Sequence, residues 1–305
     1  MLKIYSHPTC IEHGVADGHP ERPERLTSLL KHLETSGISQ DFPIAEATPV
    51  MSEDILRAHP SAYLGHLESM VPDQGVIPLD PDTWMSARSL DAAILASGAV
   101  CNGVDDLING SFKRVFCAVR PPGHHAESDA AMGFCLLNSV AIGAYRALEH
   151  PSINRVAILD FDVHHGNGTV EICKEDDRIL VCSSFQHPFY PHRFYDNDWP
   201  NIVNTPLAAG TDGYEFRKAL ERDWIPALNA HKPDLILVSA GFDAHQLDPL
   251  ASLNLDESDF AWVTELIVGF ANDSANGRVL SVLEGGYDLA ALNESVTSHI
   301  QALLT

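Results

Sequence analysis

Four short, mainly apolar runs constrain this chain more than any other feature: Val115 to Val119, Val156 to Leu159, the run from Asp234 to Ser239, and Val279 to Leu283. None shows the apolar-polar alternation of a half-buried strand. Both faces must therefore be covered, as in a parallel sheet with helices on each side. Leu2 to Tyr5, Phe42 to Pro49 and Ile179 to Ser183 read as further strands. Helical spacing falls between them, over Glu24 to Glu34, Ser86 to Asn109, Tyr214 to Leu228, Asp256 to Asn272 and a last segment reaching Leu304. Asn138 caps another helix that runs to Glu149. Glu53 to Met70 forms one or two short helices broken near Pro60. No repeat or linker interrupts the series. The alternation predicts one α/β domain over residues 1–305, an α/β/α sandwich around a mainly parallel sheet. Pro72 to Asp82 reads as a surface loop, and Phe185 to Leu207 as a long irregular stretch wrapped over a site.

In a parallel sheet, sites lie beyond the carboxyl ends of the strands. The four runs end in glycine-containing loops that carry His124 and His125, Asp162 and His164, Asp243, and Tyr287. Asp160, Asp162 and His164 follow at spacing two, so extended geometry, if it persists, sends all three to one side. Two carboxylates and one imidazole (Asp162, Asp243, His164) suit a divalent transition metal and leave coordination positions open, which marks a catalytic site. Such an ion acidifies a water and polarises a carbonyl. His125 is then the candidate general base and His124 an electrostatic aid. Tyr287 can donate a hydrogen bond to a developing oxyanion. Asp160 sits deeper, where it supports rather than ligates. His165 points away, and His7, His13, His187 and His245 read as polar loop residues.

Composition closes other routes. With 42 acids against 19 bases, the net charge of −23 opposes binding to nucleic acid or to an anionic membrane, and it favours cationic substrates. Surface acidity that merely aids solubility is the plainer account. The six cysteines show no CxxC spacing, which argues against disulfides and a thiolate metal site. No apolar run approaches the roughly 20 residues that span a bilayer, and the first residues lack a signal core, so the expected location is cytoplasmic.

The motifs HPERPER, RPPGHHA, GFCLLN, DFDVHHGNGT, SAGFDAH with DPL, and LEGGYD stand in an order that resembles the histone deacetylase superfamily, including its acetylpolyamine amidohydrolases and bacterial amidohydrolases. The likeness covers nearly the whole chain. It implies an arginase/deacetylase-like fold and one catalytic Zn2+, with Fe2+ or Co2+ as substitutes. It also implies ligands Asp162, His164 and Asp243, a histidine tandem His124 and His125, and a carbonyl-polarising Tyr287. Asp160 matches the acid behind His124. Asn167, where some relatives have aspartate behind the second histidine, resembles the class II branch. A structural K+ would draw on Asp160, Asp162, His164, Ser184 and Phe185. Gly133 and Phe134 match one wall of an acyl-lysine channel and Phe189 or Tyr190 the other, although Phe189 to Tyr195 departs from the usual glycine-rich pattern. Asp82 matches the rim acid that holds substrate backbone, and Arg25 the arginine of an internal cavity.

Polyamine-selective relatives place a glutamate where this chain has Leu250. The resemblance therefore implies an acyl-lysine protein or peptide as substrate. A cationic small amide such as an acetylpolyamine is the alternative. A catalytically silent acyl-lysine binding module and a dinuclear arginase-type hydrolase are two further readings; the retained histidines and Tyr287 oppose the first, and the tandem is unexpected in the second.

Overall fold

A computed structural model describes all 305 residues. The strands are β1 (Leu2–Ser6), β2 (Ile44–Glu46), β3 (Val76–Pro78), β4 (Trp84–Ser86), β5 (Arg114–Cys117), β6 (Val156–Asp160), β7 (Ile179–Gln186), β8 (Ile202–Leu207), β9 (Leu235–Ala240) and β10 (Val279–Leu283). The helices are α1 (Glu24–Thr35), α2 (Ile38–Asp41), α3 (Ser52–Ala58), α4 (Ser61–Met70), α5 (Ser89–Ile108), α6 (Ser139–Leu148), α7 (Asn167–Cys173), α8 (Gly213–His231), α9 (Glu257–Asp273) and α10 (Leu289–Leu303).

Eight strands form one sheet in the order β2-β1-β5-β10-β9-β6-β7-β8, and every neighbouring pair is parallel. The four apolar runs are its four central strands, side by side. Every residue of β5, β6, β9 and β10 is buried, which accounts for their lack of alternation. Helices α5 and α6 pack on one another and on the central strands, while α8, α9 and α10 form a second layer. The small residues of α5 permit this closeness: a Cβ on Gly103 would stand only 2.6 Å from Leu280 and 2.7 Å from Val115. The buried apolar side chains make one contiguous core.

Caps follow the sequence. Asn138 accepts from the Ala141 N–H, and Asp256 forms a reciprocal capping box with Asp259. Three expectations need correction. Pro72 to Asp82 is not all loop, because Val76–Pro78 pairs antiparallel with Trp84–Ser86. The stretch 185–207 is irregular only in its middle: β7 continues to Gln186, and Ile202–Leu207 adds an edge strand that its Asn, Thr and Pro disguise. His13 and His245 do lie in loops but are buried as part of the packing, His13 against Ser89 and Glu21 and His245 against Phe260. Ser89 lies 76 residues along the chain from His13, where no local pattern shows it.

Candidate active site

The parallel order brings the loops after β5, β6, β9 and β10 to one rim. After Asp160, however, the chain leaves the strand. The Asp162 N–H donates to Asp160 Oδ1 at 3.1 Å, and the His164 N–H donates to Asp162 Oδ1 at 2.9 Å. These are two successive side-chain-closed turns. The spacing of two thus works through turns and not through the expected extended backbone.

The turns set three donors around one point. His164 Nδ1 lies 3.1 Å from Asp162 Oδ1 and 3.1 Å from Asp243 Oδ2, and the donor atoms of the three residues all lie within 4.8 Å of one another. All three side chains are buried. The N–H groups of Gly285 and Val163 aim the carboxylates, donating to Asp162 Oδ2 and Asp243 Oδ1 at 2.9 Å each. Two buried carboxylates side by side demand a positive charge. Burial disfavours a charged His164, but Asp162 and Asp243 overcome it and push its pKa up to about 10. A divalent cation meets the same demand, and two oxygens with one imidazole are its usual donor set. The residues fit a metal.

The histidine tandem splits by environment. His124 Nδ1 lies 2.9 Å from Asp160 Oδ2; burial opposes its charge, yet Asp160 and Asp162 hold its pKa well above the imidazole range. His125 is held well below that range, first by burial and then by the charges of His124 and His164. Its Nδ1 meets Asn167 Oδ1 at 2.7 Å. The surroundings thus favour the charged form of His124 and the neutral form of His125.

A narrow cavity of about 80 Å³ leads in, lined by Asp82, His125, Gly133, Phe134, His164, Tyr190, Leu250 and Tyr287. His125, and not His124, faces it. Phe134 meets Tyr287 edge-on at 5.9 Å, and Tyr190 meets His125 edge-on at 5.2 Å. Of the two residues expected for the second wall, Tyr190 provides it and Phe189 stacks on His164 at 5.3 Å. Asp82 lines the cavity, but its Oδ1 already accepts from the Gly133 N–H at 3.0 Å, which fixes the wall. Burial keeps the Tyr287 phenol protonated, well above its ordinary range. Arg25 is packed solidly beneath it, its guanidinium 4.8 Å from the ring centre and its Nε donating to Gly286 O at 2.6 Å. Ser184 Oγ donates to Asp160 O at 3.4 Å, while Phe185 packs edge-on against His165.

Sequence reasoning missed two acids. Glu284 is fully buried and accepts from the Gly123 and His124 N–H groups and from Ser239 Oγ, so it clamps the tandem loop. Asp248 accepts from the N–H groups of Leu250 and Tyr287, tying the channel wall to the tyrosine. The signal for Glu284 was an acid placed directly after a fully buried, mainly apolar strand.

The profile of the histone deacetylase domain matches residues 19–303. An uncharacterized protein of Synechocystis is 40% identical over 100% of both chains. A probable deacetylase of Archaeoglobus fulgidus is 35% identical, covering 94% of this chain and 81% of its own. The crystal structure of the HDA15 HD domain superposes with a TM-score of 0.92 at 31% identity, covering 99% of this chain and 88% of that one.

Proposed function

The chain belongs to the histone deacetylase family, and from that premise we propose that it is a metal-dependent amidohydrolase removing acetyl or related acyl groups from lysine side chains of proteins or peptides. The observation that carries this reading is the meeting, in one narrow cavity, of His125, the ligand His164 and the phenol of Tyr287. Asp162, His164 and Asp243 would hold the ion, Zn2+ by the family resemblance, with Fe2+ or Co2+ able to take the same donors. When bound, it acidifies a water and withdraws electrons from the acyl carbonyl. A structural K+ beyond β6, near Asp160 and Ser184, belongs to the same reading.

The chain's own groups do the rest. Asn167 Oδ1 accepts at His125 Nδ1, which fixes the hydrogen there and leaves the Nε2 lone pair to take the proton of the attacking water. The same nitrogen then delivers that proton to the departing amine. His124, held cationic by Asp160, stabilises negative charge as it builds. Tyr287 donates its hydroxyl hydrogen to the carbonyl oxygen, where a neutral phenol is needed. Phe134 and Tyr190 enclose an extended alkyl stem and exclude water from the amide.

The half-buried Leu250 in the cavity wall favours an aliphatic stem over a polyamine, whose distal ammonium would find no carboxylate at this position. The test is metal content together with steady-state rates on acetyl-lysine peptides and N-acetylputrescine, for wild type and Tyr287→Phe. One ion per chain, faster turnover of the peptides, and loss of about 10²- to 10³-fold in kcat with metal retained in the variant are expected. Exclusive turnover of N-acetylputrescine would replace the substrate class. Binding of acyl peptide without release of acetate would remove the enzyme reading.

A further inference from the structure

The polar chain behind His125 does not stop at Asn167. Asn167 Nδ2 donates to Glu127 Oε1 at 2.8 Å, and Glu127 Oε2 pairs with Arg193 at 3.1 Å. Three side chains therefore connect the imidazole to the loop that carries Tyr190, ending in a guanidinium about half exposed (48%).

An asparagine amide is nearly the same shape either way round, so its neighbours decide which end faces the histidine. The Asn167 nitrogen is surrounded by acceptors: Glu127 Oε1, the His125 carbonyl at 3.3 Å and Met132 Sδ at 3.3 Å. Turning the amide over would set its oxygen against a carboxylate and a carbonyl. It would also present NH2 to His125 Nδ1, which would then have to accept. The ring hydrogen would move to Nε2, and the lone pair would be lost from the side facing the cavity. Glu127 enforces the productive orientation only as a carboxylate, which cannot donate. Its pKa is raised, chiefly by burial, and the hydrogen bond from Asn167 and then the charge of Arg193 oppose that rise and favour the carboxylate.

We propose that Glu127 and Arg193 are positioning residues that fix the amide of Asn167 and, through it, the ring tautomer of His125. The inference rests on the reading of His125 as the base. Its outer end belongs to the channel loop, because Arg193 lies three residues after Tyr190 and its guanidinium stands 5.3 Å over Phe194. That loop is anchored by Asn204, whose Nδ2 donates to Phe194 O at 2.9 Å and whose Oδ1 meets His165 Nε2 at 2.9 Å. What encloses the substrate and what orients the base thus share one segment.

The experiment measures kcat, KM and metal affinity of the metal-loaded protein for Arg193→Ala, Arg193→Lys, Glu127→Gln, Glu127→Ala and the double Ala variant. Arg193→Ala is expected to lower kcat by about three- to fivefold, the worth of a half-exposed pair, with Lys restoring most of it. Glu127→Ala is expected to lower kcat by roughly tenfold or more, while Gln, which keeps an acceptor oxygen, restores part. The double variant should be no slower than Glu127→Ala alone, since both act on one chain. Long-range proton–nitrogen spectra of ¹⁵N-histidine protein, assigned with His125→Ala, should show the hydrogen on Nδ1 in wild type and a share on Nε2 in Glu127→Ala. Additive losses, or an unmoved tautomer in Glu127→Ala, overturn the proposal. If His125→Ala abolishes turnover while the other variants match wild type, the relay fails and the base stands. If His125→Ala keeps its turnover, the base itself was misassigned.

Discussion

Gly285→Ala tests the metal centre without altering a ligand. A Cβ at this position would stand 2.6 Å from Asp162 Oδ2 and closer still to Asp243 Oδ2. Real Cβ atoms keep at least 3.0 Å from such neighbours, so the Asp162 oxygen must retreat by 0.4 Å or more. Coordination tolerates only about 0.2 Å in a ligand distance. The Gly285 N–H also orients Asp162, so both carboxylates are disturbed at once. Metal affinity is expected to fall by roughly 10- to 100-fold, the usual result of disturbing groups that orient ligands. Overpacking should cost about 1–3 kcal/mol of stability. Chelator competition gives the affinity, and urea unfolding of the metal-free protein gives the stability. Gly269→Ala is the control: it lies exposed in α9 with nothing within 4 Å, and alanine there should leave affinity unchanged. A Gly285→Ala protein that folds and binds metal as tightly as wild type would show that these two carboxylates do not form the ion's seat.

Leu250→Glu should shift the ratio of kcat/KM for N-acetylputrescine over acetyl-lysine peptide upward by about tenfold, equivalent to 1.4 kcal/mol, and an unchanged ratio would remove this residue from substrate choice. His299 is fully buried between Thr264 Oγ1 at 2.6 Å and Ser281 Oγ at 2.8 Å, and burial pushes its pKa down to about 3. Between that value and the ordinary 6.5 the unfolded chain holds a proton the native chain lacks, so stability falls as pH falls, by about 2 kcal/mol at pH 5. Urea titrations of the metal-free protein at pH 7, 6 and 5 should show this slope, and His299→Gln should flatten it; an equal slope in the variant would assign the acid sensitivity elsewhere.

The central sheet was legible because β5, β6, β9 and β10 are mostly apolar without alternation, a pattern imposed by cover on both faces. The candidate metal donors were legible because each follows one of those runs. What escaped was set by distance along the chain. Nothing near His13 announces Ser89, 76 residues on, and nothing near Glu127 announces Asn167 or Arg193. The edge strand β8 escaped for a different reason: at the sheet margin, polar side chains and a proline carry no penalty, so its sequence never had to resemble that of the central strands.

The strand order has a consequence for biosynthesis. β10, the latest of the eight sheet strands in chain order, lies between β5 and β9. Until it emerges from the ribosome, the nascent chain can pair only two separate blocks, each with a bare inner edge open to association. Tyr287 and the Glu284 and Gly286 carbonyls that accept from Arg25 arrive with it. A growing polypeptide therefore carries a gap in the middle of this sheet until β10 is added, and it depends during that interval on whatever shields unpaired backbone in the cell.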